Sequence, residues 1–180
     1  PGGVLVPQTE KGLTGKGFEF LAEMERMHMI VDVSHLSDKG FWDIVEHGTR
    51  PFAASHSNCR ALAPHTRNLT DEMIRALSER GGIAGLNYYA PFLDTDPTHP
   101  ENCRSTVELI AKHAAHYKQV GGAQMIALGS DFDGIDGPHQ LENAAFLPLL
   151  ADAMRKEGFT EDEVEGIYYR NAMRFFEENL

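Results

Sequence analysis

The sequence predicts an α/β fold built from four consecutive βα units. Short apolar runs that are typical of buried strands alternate four times with longer segments in which apolar residues recur at helical spacing. The chain has 180 residues, of which 42% are hydrophobic, and a chain of this size and composition can bury one core. We therefore expect a single domain over residues 1–180.

The first βα unit is predicted within residues 29–48. A helix over about residues 16–27 comes before it, and the strand follows at 29–33. Ser37 is the expected N-cap of the next helix, because a serine side chain accepts a hydrogen bond from a free N–H group at a helix start. Gly48 is expected to end this helix.

The second and third units follow the same pattern. A strand at 51–55 is followed by a helix that Thr70 is expected to cap, with acidic residues in its first turn that suit the positive end of the helix. A strand at 82–86 is followed by a loop rich in proline and aspartate. The helix after this loop is expected to open with a capping box between Ser105 and Glu108.

The fourth unit combines a strand at 125–129 with the polar turn Asp-Phe-Asp-Gly at 131–134. Helices are predicted near 141–157 and from Thr160 to the end, where Thr160 and Glu163 have the spacing of a capping box. Two interpretations of side-chain burial accompany these elements. We expect His113 and His116 to form a solvated helix face, and Trp42, Phe175 and Phe176 to pack between helices and sheet.

Four βα units fit either a small open doubly wound sheet or half of a (β/α)8 barrel, and the number of strands leaves both open. The glycine-rich phosphate loops of nucleotide-binding folds are absent from the sequence. Polar clusters follow the strands instead, which favours the mouth of a barrel. These clusters are Ser-His at 34–35, Ser-His-Ser-Asn at 55–58, Asn-Tyr-Tyr at 87–89 and Ser-Asp-Phe-Asp at 130–133.

His35 and His56 each stand just past a predicted strand. The carboxyl ends of parallel strands are where ligands and metals collect in α/β folds, so these two imidazoles are placed to converge on one ion. Other polar residues near strand ends have simpler interpretations that stay open on this evidence. Asp131 and Asp133 also suit a capped turn, and Arg67 also suits a surface salt bridge.

Charge and composition limit the classes of partner. The net charge of −11 and a pI near 5.2 argue against a nucleic-acid or anionic membrane surface. We expect small-molecule or protein partners. The chain has two cysteines, Cys59 and Cys103, and no CxxC pair, which favours a reducing, cytoplasmic compartment. No apolar stretch approaches the roughly 20 residues of a membrane span.

Residues 1–4 resemble neither a signal peptide nor a start with an initiator methionine, so we expect the chain to be part of a longer protein.

Five motifs follow one another along nearly the whole chain. They are Gly-Leu-Thr at 12–14, Met-Ile-Val-Asp-Val-Ser-His-Leu-Ser at 29–37, Pro-Phe-Ala-Ala-Ser-His-Ser at 51–57, Arg-Asn at 67–68 and Gly-Ser-Asp-Phe-Asp-Gly at 129–134. In this order they resemble the C-terminal half of the membrane (renal-type) dipeptidase family, a group of binuclear zinc peptidases.

The resemblance implies the C-terminal half of a (β/α)8 barrel of the metal-dependent hydrolase type. It implies that His35 and His56 are ligands of one zinc ion of the two in the family site. It further implies that Arg67 binds the free carboxylate of a dipeptide substrate, and that Asp131 contacts the substrate and manages the proton of a metal-activated water. The family also uses a His-x-Asp pair from its N-terminal half, and no such pair occurs in this sequence.

The predicted function is therefore zinc-dependent hydrolysis of dipeptides in an intact protein, with this chain inactive by itself. Two alternatives remain at this point. One is a related barrel that acts on a non-peptide amide or ester. The other is a non-catalytic piece that associates, either as a homo-oligomer or with the missing N-terminal half, because an open half barrel leaves strand edges unpaired.

Overall fold

In a computed structural model, residues 11–96, 99–137 and 139–180 are described. Their centre is a parallel sheet in the order β1 (Ala53–Ala54), β2 (Ile83–Leu86) and β3 (Ile126–Leu128). Ala54 lies opposite Ala84, and Gly85 lies opposite Ala127. The three strands coincide with the second, third and fourth predicted ones, and helices connect them as the βα pattern requires.

The first predicted strand, at 29–33, is present only as a single bridge between Asp32 and Ala53. The Ala53 N–H donates to the Val31 carbonyl over 2.9 Å, and the Val33 N–H donates to the Ala53 carbonyl over 2.8 Å. The ladder ends there because the next N–H on the β1 side, that of Ser55, donates to the Asp32 carboxylate and not to the Val33 carbonyl. This segment still borders β1 as a fourth, very short parallel element.

Eight α-helices occur in the described residues. They are α1 (Gly15–Arg26), α2 (Asp38–His47), α3 (Asp71–Glu79), α4 (Ala90–Leu93), α5 (Val107–Gly121), α6 (Leu147–Lys156), α7 (Glu161–Glu165) and α8 (Asn171–Asn179), with a π-helical segment at Gly166–Arg170 between the last two. In this part of the chain no helix combines the length and the hydropathy that crossing a bilayer requires.

Most of the predicted caps are confirmed. The side chains of Ser37 and Thr70 accept hydrogen bonds from N–H groups of the first turn, and Thr160 and Glu163 form the complete capping box. The prediction of a capping box at Ser105 was wrong, because the Thr106 side chain caps α5 by accepting a hydrogen bond from the Leu109 N–H. Ser105 is held one residue earlier in a parallel bridge with His139, which takes it out of the cap position.

The two faces of the sheet are packed differently. Ala54, Ala84 and Ile126 face the helices and belong to the main core. The alternate residues Ala53, Ile83 and Ala127 face the other way and form a small separate cluster with Phe175 of α8. Successive strand residues point to opposite faces, so one face packs on the helices of the main core, and the other is covered at the strands by α8 and exposes Asp32 and Ser55. We call the second one the open face.

Three expectations about burial were wrong. Trp42 is 37% exposed and Phe176 is 46% exposed, although Phe175 is buried as expected. His113 was expected on a solvated face, yet it is 1% exposed. The spacing of His113 and His116 along α5 gave no sign that the loop before α3 and the end of α4 pack over His113.

Two glycines allow the strands to come close where the polar clusters begin. A Cβ atom on Gly85 would lie 2.0 Å from the Ser55 carbonyl oxygen, and one on Gly129 would lie 2.2 Å from the same oxygen. No side chain fits such an approach. The absence of side chains at these two positions therefore brings the carboxyl ends of β1, β2 and β3 together.

Candidate active site

The structure brings the predicted site residues to one end of the sheet. His35 follows the bridged segment and His56 follows β1, and their Nε2 atoms lie 2.8 Å apart with ring centroids separated by 4.8 Å. Beside them is a cavity of about 510 Å³, whose lining includes His35, Arg67 and Asp131. The convergence expected from sequence is therefore present, and both histidines come from the ends of adjacent parallel elements.

His56 is held from its backbone and from its ring. Its N–H donates to the Ser34 hydroxyl over 2.9 Å, and its Nδ1 lies 2.7 Å from the Ser55 Oγ. The Ser55 hydroxyl also donates to Oδ2 of Asp32 over 2.5 Å. Asp32, on the open face, is thereby connected to His56 through one hydroxyl group.

Asp32 is held as a carboxylate. Partial desolvation by neighbouring atoms acts to raise its pKa, but hydrogen bonds from the Ser55 hydroxyl and from the N–H groups of Ser55 and Ser34 outweigh it, so the pKa lies below its ordinary value. Both N–H groups donate to Oδ1, over 3.0 and 3.1 Å. Hydrogen bonds to the charged form of a carboxyl group favour ionisation.

The local environment favours neutral imidazoles at both histidines. Burial lowers the pKa of His35, and the charge of Arg67 lowers it further. For His56, burial likewise lowers the pKa, and the opposing attraction of Asp131 and Asp32 does not restore it to the ordinary value. Neutral imidazole is the form that binds metal ions.

Arg67 is a buried cation with unmet hydrogen-bonding capacity. The residue is 5% exposed, and its Nε and Nη1 atoms have no hydrogen-bond partner. Its Nη2 lies 3.4 Å from Nε2 of His35, and its guanidinium carbon lies 5.3 Å from the centre of the Phe92 ring. Desolvation lowers the pKa of Arg67, while Asp131 and Asp32 act to raise it. An anion that enters the adjacent cavity would meet free donors of this planar group.

Asp131 occupies an unusual backbone conformation at the end of β3. Its φ of 70° is left-handed, and a short turn at Phe132–Gly134 follows it. The Asn87 side-chain amide donates to its Oδ2 over 3.1 Å. A non-glycine residue in this region is strained, and such strain persists where surrounding contacts hold it. The conformation places the Asp131 side chain in the wall of the cavity.

A buried asparagine network supports these residues, and its hydrogen bonds were not predicted. Asn58, Asn68 and Asn87 are fully buried. Asn58 Oδ1 accepts from the Asn87 N–H over 3.0 Å, and Asn68 Oδ1 accepts from the Asn58 N–H over 3.2 Å. Two of the three stand directly in the polar clusters after strands, which was the available signal. Amides suit this place because each can donate and accept between loops that lack regular pairing.

The donors present fit a metal ion in part. The two imidazole Nε2 atoms converge, and both side chains tend to the neutral form that a metal requires. Within residues 11–96, 99–137 and 139–180, however, no group of three or more His, Cys, Asp or Glu residues is arranged to hold an ion. The described part of the chain therefore offers two ligands, and a stable site needs additional ones.

Comparison with known proteins identifies relatives over almost the whole chain. The sequence profile described as membrane dipeptidase (peptidase family M19) matches residues 4–179. An uncharacterised protein in the pqqA 5′ region of Klebsiella pneumoniae is 38% identical over 168 residues, which is 93% of this chain and 61% of that protein. An uncharacterised dipeptidase of Schizosaccharomyces pombe is 34% identical over 92% of this chain and 39% of its own length.

Two solved structures are similar throughout. The metallopeptidase of family M19 named dipeptidase AC superimposes with a TM-score of 0.85 at 33% identity, over 99% of this chain and 52% of that one. A metallopeptidase from Rhodobacter sphaeroides, liganded with a phosphinate mimic of the dipeptide L-Ala-D-Ala, gives a TM-score of 0.87 at 32% identity, over 100% of this chain and 50% of that one. The chain thus spans about half of each of these two structures.

Proposed function

The chain belongs to the membrane dipeptidase family, peptidase family M19, and from this we propose that it supplies one half of the active site of a zinc-dependent dipeptidase. The sheet is then the C-terminal half of a (β/α)8 barrel, with the histidine pair at its mouth. The observation that carries the proposal is Arg67, a buried cation with two unpartnered nitrogens beside the cavity that His35 and Asp131 line.

Each residue has a role in this proposal. His35 and His56 would hold one zinc ion, which when bound supplies Lewis acidity and lowers the pKa of a water molecule. Arg67 binds the C-terminal carboxylate of the substrate through its Nε and Nη1 atoms, which restricts the site to short peptides. Asp131 takes a proton on Oδ1, the oxygen that Asn87 leaves free, and passes it to the leaving amine.

The chain by itself is proposed to be inactive. Asp32 and Ser55 lie exposed on the open face, although their hydrogen bonds connect them to the site. The described residues provide two metal ligands, so further ligands and a cover for the open face must come from other protein. The occupant that the proposal names is the N-terminal half of the barrel.

A complementation assay tests this proposal. The purified chain is assayed with zinc for dipeptide hydrolysis, alone and mixed with the N-terminal part of the Klebsiella relative that this chain does not match. We expect no hydrolysis by the chain alone and metal-dependent hydrolysis by the mixture. Robust hydrolysis by the chain alone overturns the half-site proposal. A stable complex that binds zinc and hydrolyses no dipeptide overturns the dipeptidase proposal.

The substrate class is tested with the same mixture. Dipeptides are compared with their C-terminal amides, with lactones and with N-acyl amino acids. If Arg67 binds the carboxylate, amidation lowers kcat/KM by about 100-fold, which corresponds to the loss of one charge-assisted hydrogen bond, because the amide keeps its carbonyl oxygen as an acceptor. The Arg67→Lys variant is expected to lose a similar factor toward the free dipeptide and nothing further toward the amide. Preference for lactones over dipeptides would instead indicate a barrel that acts on non-peptide bonds.

A further inference from the structure

We infer that Asp32 and Ser55 are positioning residues that hold the proton of His56 on Nδ1 and so keep Nε2 free as a metal ligand. The metal itself rests on the proposed function, but the protonation of the ring is a property of this chain and is tested without it. Neither Asp32 nor Ser55 is one of the residues to which the family resemblance gave a role.

The direction of each hydrogen bond follows from what each group can donate. Oδ1 of Asp32 accepts from two backbone N–H groups, which can only donate. Oδ2 lies 2.5 Å from the Ser55 Oγ, within the range of a hydrogen bond from a hydroxyl to a charged oxygen. The hydroxyl has one proton and gives it to Asp32. The oxygen of Ser55 therefore presents a lone pair to His56.

The tautomer of the His56 imidazole also follows from which groups can donate. Nδ1 of His56 lies 2.7 Å from the Ser55 Oγ, and this contact is a hydrogen bond only when Nδ1 carries the proton. In a neutral imidazole the other nitrogen, Nε2, then has a lone pair. This is the nitrogen that faces His35 at 2.8 Å. A carboxylate acting through a hydroxyl thus sets which nitrogen of His56 points into the site.

His35 presents a lone pair to the same point. Arg67 Nη2, which can only donate, lies 3.4 Å from His35 Nε2, and this contact is favourable when that nitrogen is unprotonated. Two nitrogen lone pairs that face each other at 2.8 Å repel, so a cation, or in the metal-free chain a water molecule that donates hydrogen bonds, has to lie beside both nitrogens. Histidine ligands of metals commonly donate their second N–H to a neighbouring acceptor, and Ser55 is that acceptor for His56.

The test is the tautomer of His56 in the metal-free chain, measured by long-range ¹H–¹⁵N NMR at a pH above the titration of both rings. We expect the Nδ1–H form in the native chain. In the isosteric variant Asp32→Asn, the new amide group donates to Ser55, so the Ser55 hydroxyl must donate to Nδ1 and His56 changes to the Nε2–H form. A carboxylate-to-amide change behind a catalytic histidine has this effect elsewhere. Ser55→Ala is expected to leave a mixture of tautomers, and Ser55→Thr is expected to restore the native form.

Asp133→Asn is the matched control, because it makes the same change of charge at an exposed residue of the turn after β3. It is expected to leave the tautomer unchanged. Zinc affinity, measured by competition with a chromophoric chelator, should fall about 10- to 100-fold in Asp32→Asn and stay constant in Asp133→Asn.

An Nε2–H tautomer in the native chain overturns the inference, and so does an unchanged tautomer in Asp32→Asn. If the native chain shows Nδ1–H and Asp32→Asn reverses it, the inference holds even when the chain alone binds no zinc, and the proposed function is then decided by the complementation assay. If zinc binds equally to the native chain and to Asp32→Asn, the inference fails while the proposed metal site stands.

Discussion

The histidines on the two sides of the parallel sheet use their ring nitrogens differently. His113 of α5 lies among the helices, where the Cys59 N–H donates to its Nδ1 over 3.0 Å and its Nε2 lies 3.1 Å from the Leu93 carbonyl. Both nitrogens are satisfied by backbone groups. His35 and His56, at the carboxyl end of the sheet, instead turn their Nε2 atoms toward each other. A histidine with both nitrogens bound to backbone is structural, whereas two whose Nε2 atoms meet beside a cavity are candidates for function.

The apolar residues of the sheet show the same contrast. The helix-facing residues belong to one large core that also contains residues of α3, α5 and α6. On the open face, the described residues form a cluster of four buried members, in which Phe175 of α8 covers the strands. The helix side therefore contributes most of the core, and the open face carries a small apolar cluster next to the site residues.

The largest expected effect comes from shortening β2 side chains on opposite faces. Leu86→Ala on the helix side should lower the free energy of unfolding by about 4 kcal/mol, because the packed surroundings cannot collapse into the cavity. Ile83→Ala on the open face should lower it by about 2 kcal/mol. Both changes remove the same number of carbon atoms, and both native residues are buried, with Leu86 0% and Ile83 6% exposed.

Chemical denaturation of the two variants measures the difference. Equal losses for Leu86→Ala and Ile83→Ala would mean that the open face is as closely packed as the helix side. Such a result in a species larger than a monomer would indicate that a second copy covers the open face.

The next largest effect is the pH dependence that His113 gives to stability. Burial lowers its pKa from an ordinary 6.5 to about 4, opposed by the hydrogen bond to Leu93 and assisted by His116. Between these values the unfolded chain binds the proton and the folded chain does not, so stability is lost as pH falls from 6.5 toward 4. A shift of this size corresponds to about 3 kcal/mol.

Denaturation of the native chain and of His113→Gln over this pH interval isolates the contribution, since other groups titrate equally in both. The native chain should lose stability more steeply than the variant. Parallel pH profiles would show that His113 is protonated in the folded chain or is reached by water there.

The smallest expected effect is a change in the free energy of unfolding when either of two arginines in one loop is replaced. Arg67 has unpartnered nitrogens, and Arg60 is fully paired. Arg67→Met removes a buried cation with two unpartnered nitrogens and should raise the free energy of unfolding by about 1 to 2 kcal/mol. Arg60→Met is the control, because Arg60 donates to both oxygens of Asp38 and to the Asn68 carbonyl. It should lower stability by about 1 to 2 kcal/mol. A loss in both variants would mean that Arg67 already has an anionic partner in the folded chain.

Much of the fold follows from local patterns in the sequence. The strands at β1, β2 and β3 and the caps at Ser37, Thr70 and Thr160 depend on residues close together in the chain, and their predictions are confirmed. The cap at Ser105 was wrong because a bridge to His139, far along the chain, moved the helix start to Thr106. The strand predicted at 29–33 is shorter than expected, because its pairing with β1 ends where the Asp32 carboxylate accepts hydrogen bonds from backbone N–H groups.

The sequence predicted which residues gather at the candidate site, but not the hydrogen bonds between them. Polar residues that end parallel strands had to lie close together, which is why the approach of His35 and His56 followed from their positions. Asp131 and Arg67 were selected by the family resemblance, because their positions alone also suited a turn and a surface salt bridge. The asparagine network was missed because an amide after a strand is common, and its value depends on partners in other loops. Asn87 and Asp131, for example, are 44 residues apart.

The sequence by itself determined the α/β class, most helix starts and the residue types at the strand ends, because these depend on periodicity and on contacts within a few residues. Only the tertiary structure decided that His113 is bound by backbone groups, that the Nε2 atoms of His35 and His56 meet, that Arg67 is buried without full pairing, and that Asp32 lies behind His56. Asp32 and Ser55 are 23 residues apart, and the bond between them exists only when two parallel elements lie side by side. Hydrogen-bond direction and burial depend on such distant neighbours, and they determine what a histidine or an arginine at a strand end can do.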